Sequence, residues 1–160
     1  MKKTLIIGFG NIDRQDDGVA WHVLLRIAQR LNRLASTNDE IEFELVGLNP
    51  ELVYVLQLTP ELAETIAGFE RICFIDAHTG RIEQEFLLSP LQAGYQNSPF
   101  THHMTPETLL SLASALYQKA PQAALASIRG HEFNFSRELS ARTDQLADQA
   151  VNQIIKWLDE

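Results

Sequence analysis

The chain has 160 residues, 45% of them apolar, and carries 13 basic against 21 acidic side chains for a formal charge of -8. That length suits one domain, read as spanning 1–160, and that apolar fraction is enough for a real core. The acidic balance works against a role on nucleic acid or on an anionic membrane surface.

The first expected strand is the apolar run Thr4-Leu5-Ile6-Ile7, which empties into Gly8-Phe9-Gly10-Asn11, with Asp13, Asp16 and Asp17 following before Gly18. A glycine-rich turn in this position normally lets backbone amides cradle a phosphate. Three carboxylates within five residues would repel one and suit a cation. Ala20, Val23, Leu24, Ile27, Ala28, Leu31 and Leu34 then recur at helical spacing and predict a helix from about Asp16 to about Ala35. One of Asp16 and Asp17 is expected to cap it.

Ser36 to Glu40 reads as a polar turn and Ile41 to Gly47 as a strand, which Asn49-Pro50 breaks. Thr59-Pro60-Glu61 carries the start signal of a short helix fading near Gly68, with threonine as its cap. Arg71 to Ile75 is the next strand, ending at Asp76, and Glu83 to Leu88 another. Ser89 to Pro99 is a loop. Thr105-Pro106-Glu107 opens a helix with Leu109, Leu110, Ala113 and Leu116 on its buried side, and Pro121 closes it. Ala123 to Ile128 reads as a strand and Gly130 to Glu138 as an irregular connection. Ser140 is the expected cap of a last helix that buries Leu146, Ala147, Ala150, Val151, Ile154 and Leu158.

This alternation predicts a three-layer α/β/α fold, a twisted, mostly parallel sheet of about five strands flanked by helices. Ligands of such sheets collect at the carboxyl ends of the strands. The acidic loop after the first strand and Asp76 should therefore open on one rim.

Two carboxylates and an imidazole make a common ligand set for a divalent transition metal. His102 and His103 precede the Thr105 cap, where the positive helix end favours a neutral, ligating ring. At most one of the two is expected to point into a site. His78 is a weaker ligand candidate, and His22 and His131 are assigned to structure or solvent. Cys73, the lone cysteine, sits in an apolar run and reads as an inert core thiol. The dinucleotide fingerprint fails because Asp13 stands where its third glycine belongs, and neither a phosphate-binding loop nor a nucleophile elbow is present.

Taken together, Gly8-Phe9-Gly10-Asn11, Asp16-Asp17-Gly18, Phe74-Ile75-Asp76-Ala77 and Thr101-His102-His103 resemble the hydrogenase maturation proteases, along most of the chain. Ala20-Trp21 and Phe100 depart from residues common in that family. The resemblance implies an endopeptidase that removes the C-terminal extension of a nickel-iron hydrogenase large-subunit precursor after nickel insertion. It places Asp17, Asp76 and His102 on the three metal-contacting and catalytic positions. Nickel, carried by the precursor, is the implied cofactor, with other divalent ions substituting in vitro. The implied partner is the nickel-loaded precursor. Independently of the resemblance, no apolar stretch approaches the ~20 residues of a bilayer span and Met1-Lys2-Lys3 runs straight into a strand without a signal-peptide pattern, so the chain is expected to be cytoplasmic, without membrane insertion, and a monomer. Rival readings are a nickel-binding chaperone that does not cut and an anion- or nucleotide-binding α/β domain, which the aspartates oppose.

Overall fold

The computed structural model describes residues 2–33, 44–94 and 104–160. Among the described residues, six strands form one sheet: β1 (Thr4–Phe9), β2 (Glu44–Leu45), β3 (Glu51–Val55), β4 (Arg71–His78), β5 (Phe86–Leu91) and β6 (Gln122–Arg129). Their spatial order is β2-β3-β1-β4-β6-β5. β1 pairs in parallel with both β3 and β4, and β4 pairs in parallel with β6. The short β2 and the edge strand β5 run antiparallel to their neighbours. The expected three-layer arrangement is therefore present, with a four-stranded parallel centre and an antiparallel strand at each edge.

The described residues include four α-helices that cover the sheet: α1 (Val19–Arg30), α2 (Leu62–Ala67), α3 (Pro106–Tyr117) and α4 (Ala141–Leu158). Side chains alternate across each strand, and the core divides accordingly. Ile6, Cys73 and Ile75 pack with α1 and α4 on one face. Leu5, Ile7, Ile72 and Phe74 pack with α2 and α3 on the other. All seven are fully buried. Deleting such a side chain down to alanine typically costs about 2–5 kcal/mol, so these central strands are what holds the rim loops in place. At the opposite end, the Arg71 guanidinium lies 3.9 Å from the Trp157 ring centre and donates to the Trp157 carbonyl at 2.8 Å. This sets a cation against the carbonyl end of α4, where it is favoured.

Several expected boundaries move. The chain between Gln15 and Gly18 is a 3-10 turn, and α1 begins only at Val19 with no side-chain cap. α2 starts at Leu62, because Thr59 and Pro60 form a backbone turn that accepts from Leu62 N and Ala63 N. β4 continues to His78, so Asp76 lies inside the strand rather than beyond it. Leu116, assigned to the buried side of α3, is 58% exposed.

The main correction is β3. Asn49-Pro50 does not end a strand but precedes one, whose three middle residues are buried and whose register matches β1 from Leu5↔Glu51 to Phe9↔Val55. Thr105 does cap α3, accepting from Thr108 N at 3.2 Å. The first helix also ends early, at Arg30, because Leu31 and Asn32 turn the chain and Asn32 takes φ of +55°. Part of the predicted 41–47 strand, residues 34–35 of the predicted first helix, and the His102/His103 pair lie outside the described residues. Among the described residues, no helix is long and apolar enough to cross a membrane.

Candidate active site

β1 and β4 are neighbours at the point where the strand order reverses: from β1 the chain moves to β3 on one side, then returns to β4 on the other. α1 lies on one face and α2 on the opposite face. Crevices in doubly wound sheets open at such a point. Here a cleft of about 730 Å³ opens, lined by Phe9 at the end of β1, by Gly10, Asn11 and Asp17 from the loop that follows, by Leu56 to Pro60 after β3, by Asp76 of β4, and by Met104. Asp17 and Asp76 therefore share one cavity.

The loop carrying Asp17 is folded tightly back on itself. Gly10 has φ of +141°, and a Cβ there would stand 2.2 Å from the Asp17 carbonyl oxygen, so only glycine lets the two segments meet. The Gly10 N–H donates to the Leu56 carbonyl at 3.2 Å, and the buried Tyr54 hydroxyl donates to the Gly10 carbonyl. Asn11 donates its N–H to Asp17 Oδ2 at 2.8 Å, while its side chain accepts from Asp13 N at 2.9 Å. Burial holds the Tyr54 phenol well above its ordinary range, and the charges of Asp17 and Asp13 push the same way. It stays a neutral donor. Tyr54 is a supporting residue that sequence reasoning missed, because it belongs to the unrecognised β3.

The three aspartates of this loop do not act together. Asp13 pairs with Arg137, Oδ1 to Nε at 2.7 Å. Asp16 is fully buried and faces away from the cleft. It accepts from His131 N at 2.8 Å, Glu132 N at 2.9 Å, Ser140 N at 2.9 Å, Ser140 Oγ at 2.6 Å and Thr143 Oγ1 at 2.9 Å. Burial alone would raise its carboxyl, but the Ser140 hydroxyl and the three backbone N–H groups outweigh it and hold it below the ordinary value. Neither Asp16 nor Asp17 caps α1. Asp16 instead binds the first turn of α4, and the Ser140 hydroxyl is turned to that carboxylate rather than to its own helix.

Asp76 lies opposite Ser127 in the β4–β6 ladder. Burial pushes its carboxyl up to about 6, opposed by the Arg81 guanidinium and reinforced by the Asp17 charge. Arg81 Nη2 stands 3.2 Å from Asp76 Oδ2. A second cavity of about 510 Å³ shares Phe9, Asp76 and Met104 with the first and extends along Arg81, Ser89, Thr105, Glu107 and Ser127. Asp76 thus stands at the junction of two continuous halves of one groove.

His78 lines neither cavity. It is 1% exposed, and its Nδ1 accepts from Gly80 N at 3.1 Å. Burial lowers its pKa, with Arg81 acting in the same direction. His22 contacts the Arg137 carbonyl, and His131 lies between Thr143 and Glu85. Cys73 is buried, and burial pushes its thiol up to about 12. That leaves it without thiolate chemistry. Among the described residues, no three His, Cys, Asp or Glu side chains gather closely enough to hold a metal ion. Asp17 and Asp76 supply two oxygen donors to the cleft, a set that fits a divalent cation and opposes an anion.

No family model and no curated protein matches the chain. Solved structures match it along nearly its whole length. A [NiFe] hydrogenase maturation protease HycI from Thermococcus kodakarensis KOD1 superposes with a TM-score of 0.69 at 18% identity, covering 99% of this chain and 94% of that one. The hydrogenase maturating endopeptidase HybD from E. coli gives 0.67 at 17%, covering 98% and 92%. The [NiFe] hydrogenase maturation protease HybD from Thermococcus kodakarensis gives 0.65 at 19%, covering 98% and 99%. At these identities the similarity establishes that the chain shares their fold.

Proposed function

We propose that the chain is an endopeptidase that removes the C-terminal extension of a nickel-iron hydrogenase large-subunit precursor once nickel has been inserted. Asp17, Asp76 and His102 are the residues proposed to meet the nickel, which arrives on the precursor as part of the substrate. The observation that supports this most is the opening of Asp17 and Asp76 into one cleft. That cleft belongs to a fold shared with proteins described as hydrogenase maturation proteases.

The chemistry follows from that arrangement. Two carboxylate oxygens and one imidazole nitrogen complete the coordination of a borderline divalent ion better than they hold any organic ligand. A precursor without nickel offers no cation to the two carboxylates already gathered in the cleft. Nickel thus acts as the licence for docking. Of the residues meeting the ion, a carboxylate that takes a proton from attacking water and returns it to the leaving amine would contribute roughly 10²–10⁴-fold in rate. Asp17, fixed by the Asn11 N–H, orients the ion.

The test is to incubate the protein with nickel-loaded precursor and follow the large subunit by intact-mass spectrometry. Loss of a C-terminal peptide is expected. An unchanged mass in a stable complex would identify a non-cutting nickel chaperone and overturn the peptidase reading.

A further inference from the structure

Among the described residues, Arg81 is the only lysine or arginine lining either half of the groove, whereas Asp17, Asp76 and Glu107 all line it. Its guanidinium is on Asp76. The Asp76 side chain is 20% exposed, less than the carboxylate of any other ion pair among the described residues, where the values run from 38% upward. Rim pairs between solvated groups usually contribute little, while a charge partner for a desolvated carboxylate matters more.

The turn bearing Arg81 is held from below. Gly80, at φ of +106°, donates its N–H to the buried His78 ring, and the His78 carbonyl accepts from Gly130 N at 2.8 Å. The Arg129 guanidinium fills the space a Cβ on Gly80 would need, 3.0 Å away. This bracing gives the buried His78 a role: it sets the turn that returns Arg81 toward Asp76. The Arg81 side chain itself is 53% exposed, so its head stays solvated on leaving Asp76, and the cost of parting falls on the Asp76 carboxylate, which an arriving cation must meet.

We propose that Arg81 is the internal counter-cation of this cleft, a specificity residue that occupies Asp76 against free divalent ions and gives way to a cation delivered on a docked protein substrate. The inference rests on the proposed reading of the cleft as a nickel-recognition site. A free ion must displace the guanidinium with only its own charge to offer. An ion carried on a precursor brings the contacts of the whole docking surface, and these offset the exchange.

The experiment is calorimetric titration of the full, tag-free chain with Ni²⁺ alone, comparing wild type with Arg81→Gln, Arg81→Lys and the double variant Arg81→Gln/Asp76→Asn. Arg81→Gln is expected to bind Ni²⁺ on the order of tenfold more tightly than wild type, Arg81→Lys to remain near wild type, and the double variant to lose the gain. Equal or weaker binding by Arg81→Gln, absence of binding by both, or a gain that survives Asp76→Asn overturns the inference. Cleavage of nickel-loaded precursor by the wild type is scored separately. Intact cleavage with an unchanged Arg81→Gln isotherm refutes the role of Arg81 alone, whereas absent cleavage refutes the peptidase reading whatever the isotherms give.

Discussion

Asp16 accepts a hydrogen bond from the Ser140 hydroxyl at 2.6 Å and a second from the Ser140 main-chain N–H at 2.9 Å, although 124 positions separate the two in the chain. The next residue, Asp17, lines the cleft on the other side of the same 3-10 turn. Adjacent aspartates thus divide the work. One ties the loop after β1 to α4 and to the segment following β6, and the other is presented to solvent by the framework so formed.

Removing the Asp16 carboxylate should be costly, because it strands the buried Ser140 N–H and hydroxyl and takes the acceptor from the N–H groups of His131 and Glu132. Asp16→Ala is expected to lose about 3–5 kcal/mol in urea unfolding. Its depressed carboxyl fixes the pH dependence: the stabilisation is complete above the unfolded-state value and is lost as pH falls through the lower folded-state value. The gap between wild type and variant should therefore close on the acid side of pH 4, as the unfolded-state reference near 3.9 requires. A gap independent of pH would contradict this role.

Asp76 carries the opposite sign. A carboxyl raised from 3.8 to about 6 binds its proton more tightly folded than unfolded, so stability falls as pH rises between those values, by about 3 kcal/mol at the limit. Partial exposure and loss of the Arg81 pair reduce what a neutral isostere recovers. Asp76→Asn is expected to be more stable than wild type at pH 7.5 by roughly 1–2 kcal/mol, with the difference vanishing toward pH 4, and to be inactive on precursor. Thermal melts across pH check this, and a destabilised variant at pH 7.5 would contradict it.

The loop closure at Gly10 predicts a graded pair of variants. Gly10→Ala forces a Cβ onto the Asp17 carbonyl and should cost about 2 kcal/mol or more while displacing Asp17. Tyr54→Phe removes only the hydroxyl that donates to the Gly10 carbonyl and should cost about 1 kcal/mol. Both are expected to slow precursor cleavage, Gly10→Ala more severely. Full activity in Gly10→Ala would show that the observed loop conformation is dispensable.

The elements with long, regular apolar spacing were legible: α4 is buried at the residues its spacing marks and α1 at Ala20, Val23, Leu24, Ile27 and Ala28, and the Thr105 cap forms as its sequence signal predicts. β3 was not legible. Its proline sits immediately before the strand, so the local rule that proline interrupts a run pointed the wrong way, and only pairing with β1 reveals the segment. The separate roles of Asp16 and Asp17 were equally hidden, since no local signal says which way each side chain leaves a 3-10 turn. The placement of Arg81 and His78 was hidden for the same reason: it depends on a turn packed against Arg129 and Gly130.

The central claim is that nickel on the precursor is read by Asp17, Asp76 and His102. Its most direct test is single-turnover cleavage of nickel-loaded and nickel-free precursor by wild type, Asp17→Asn, Asp76→Asn and His102→Gln. The account predicts that wild type cleaves only the nickel-loaded form and that each substitution slows it by on the order of 10²-fold or more. Equal cleavage by all four proteins, or cleavage of nickel-free precursor at the loaded rate, would contradict it.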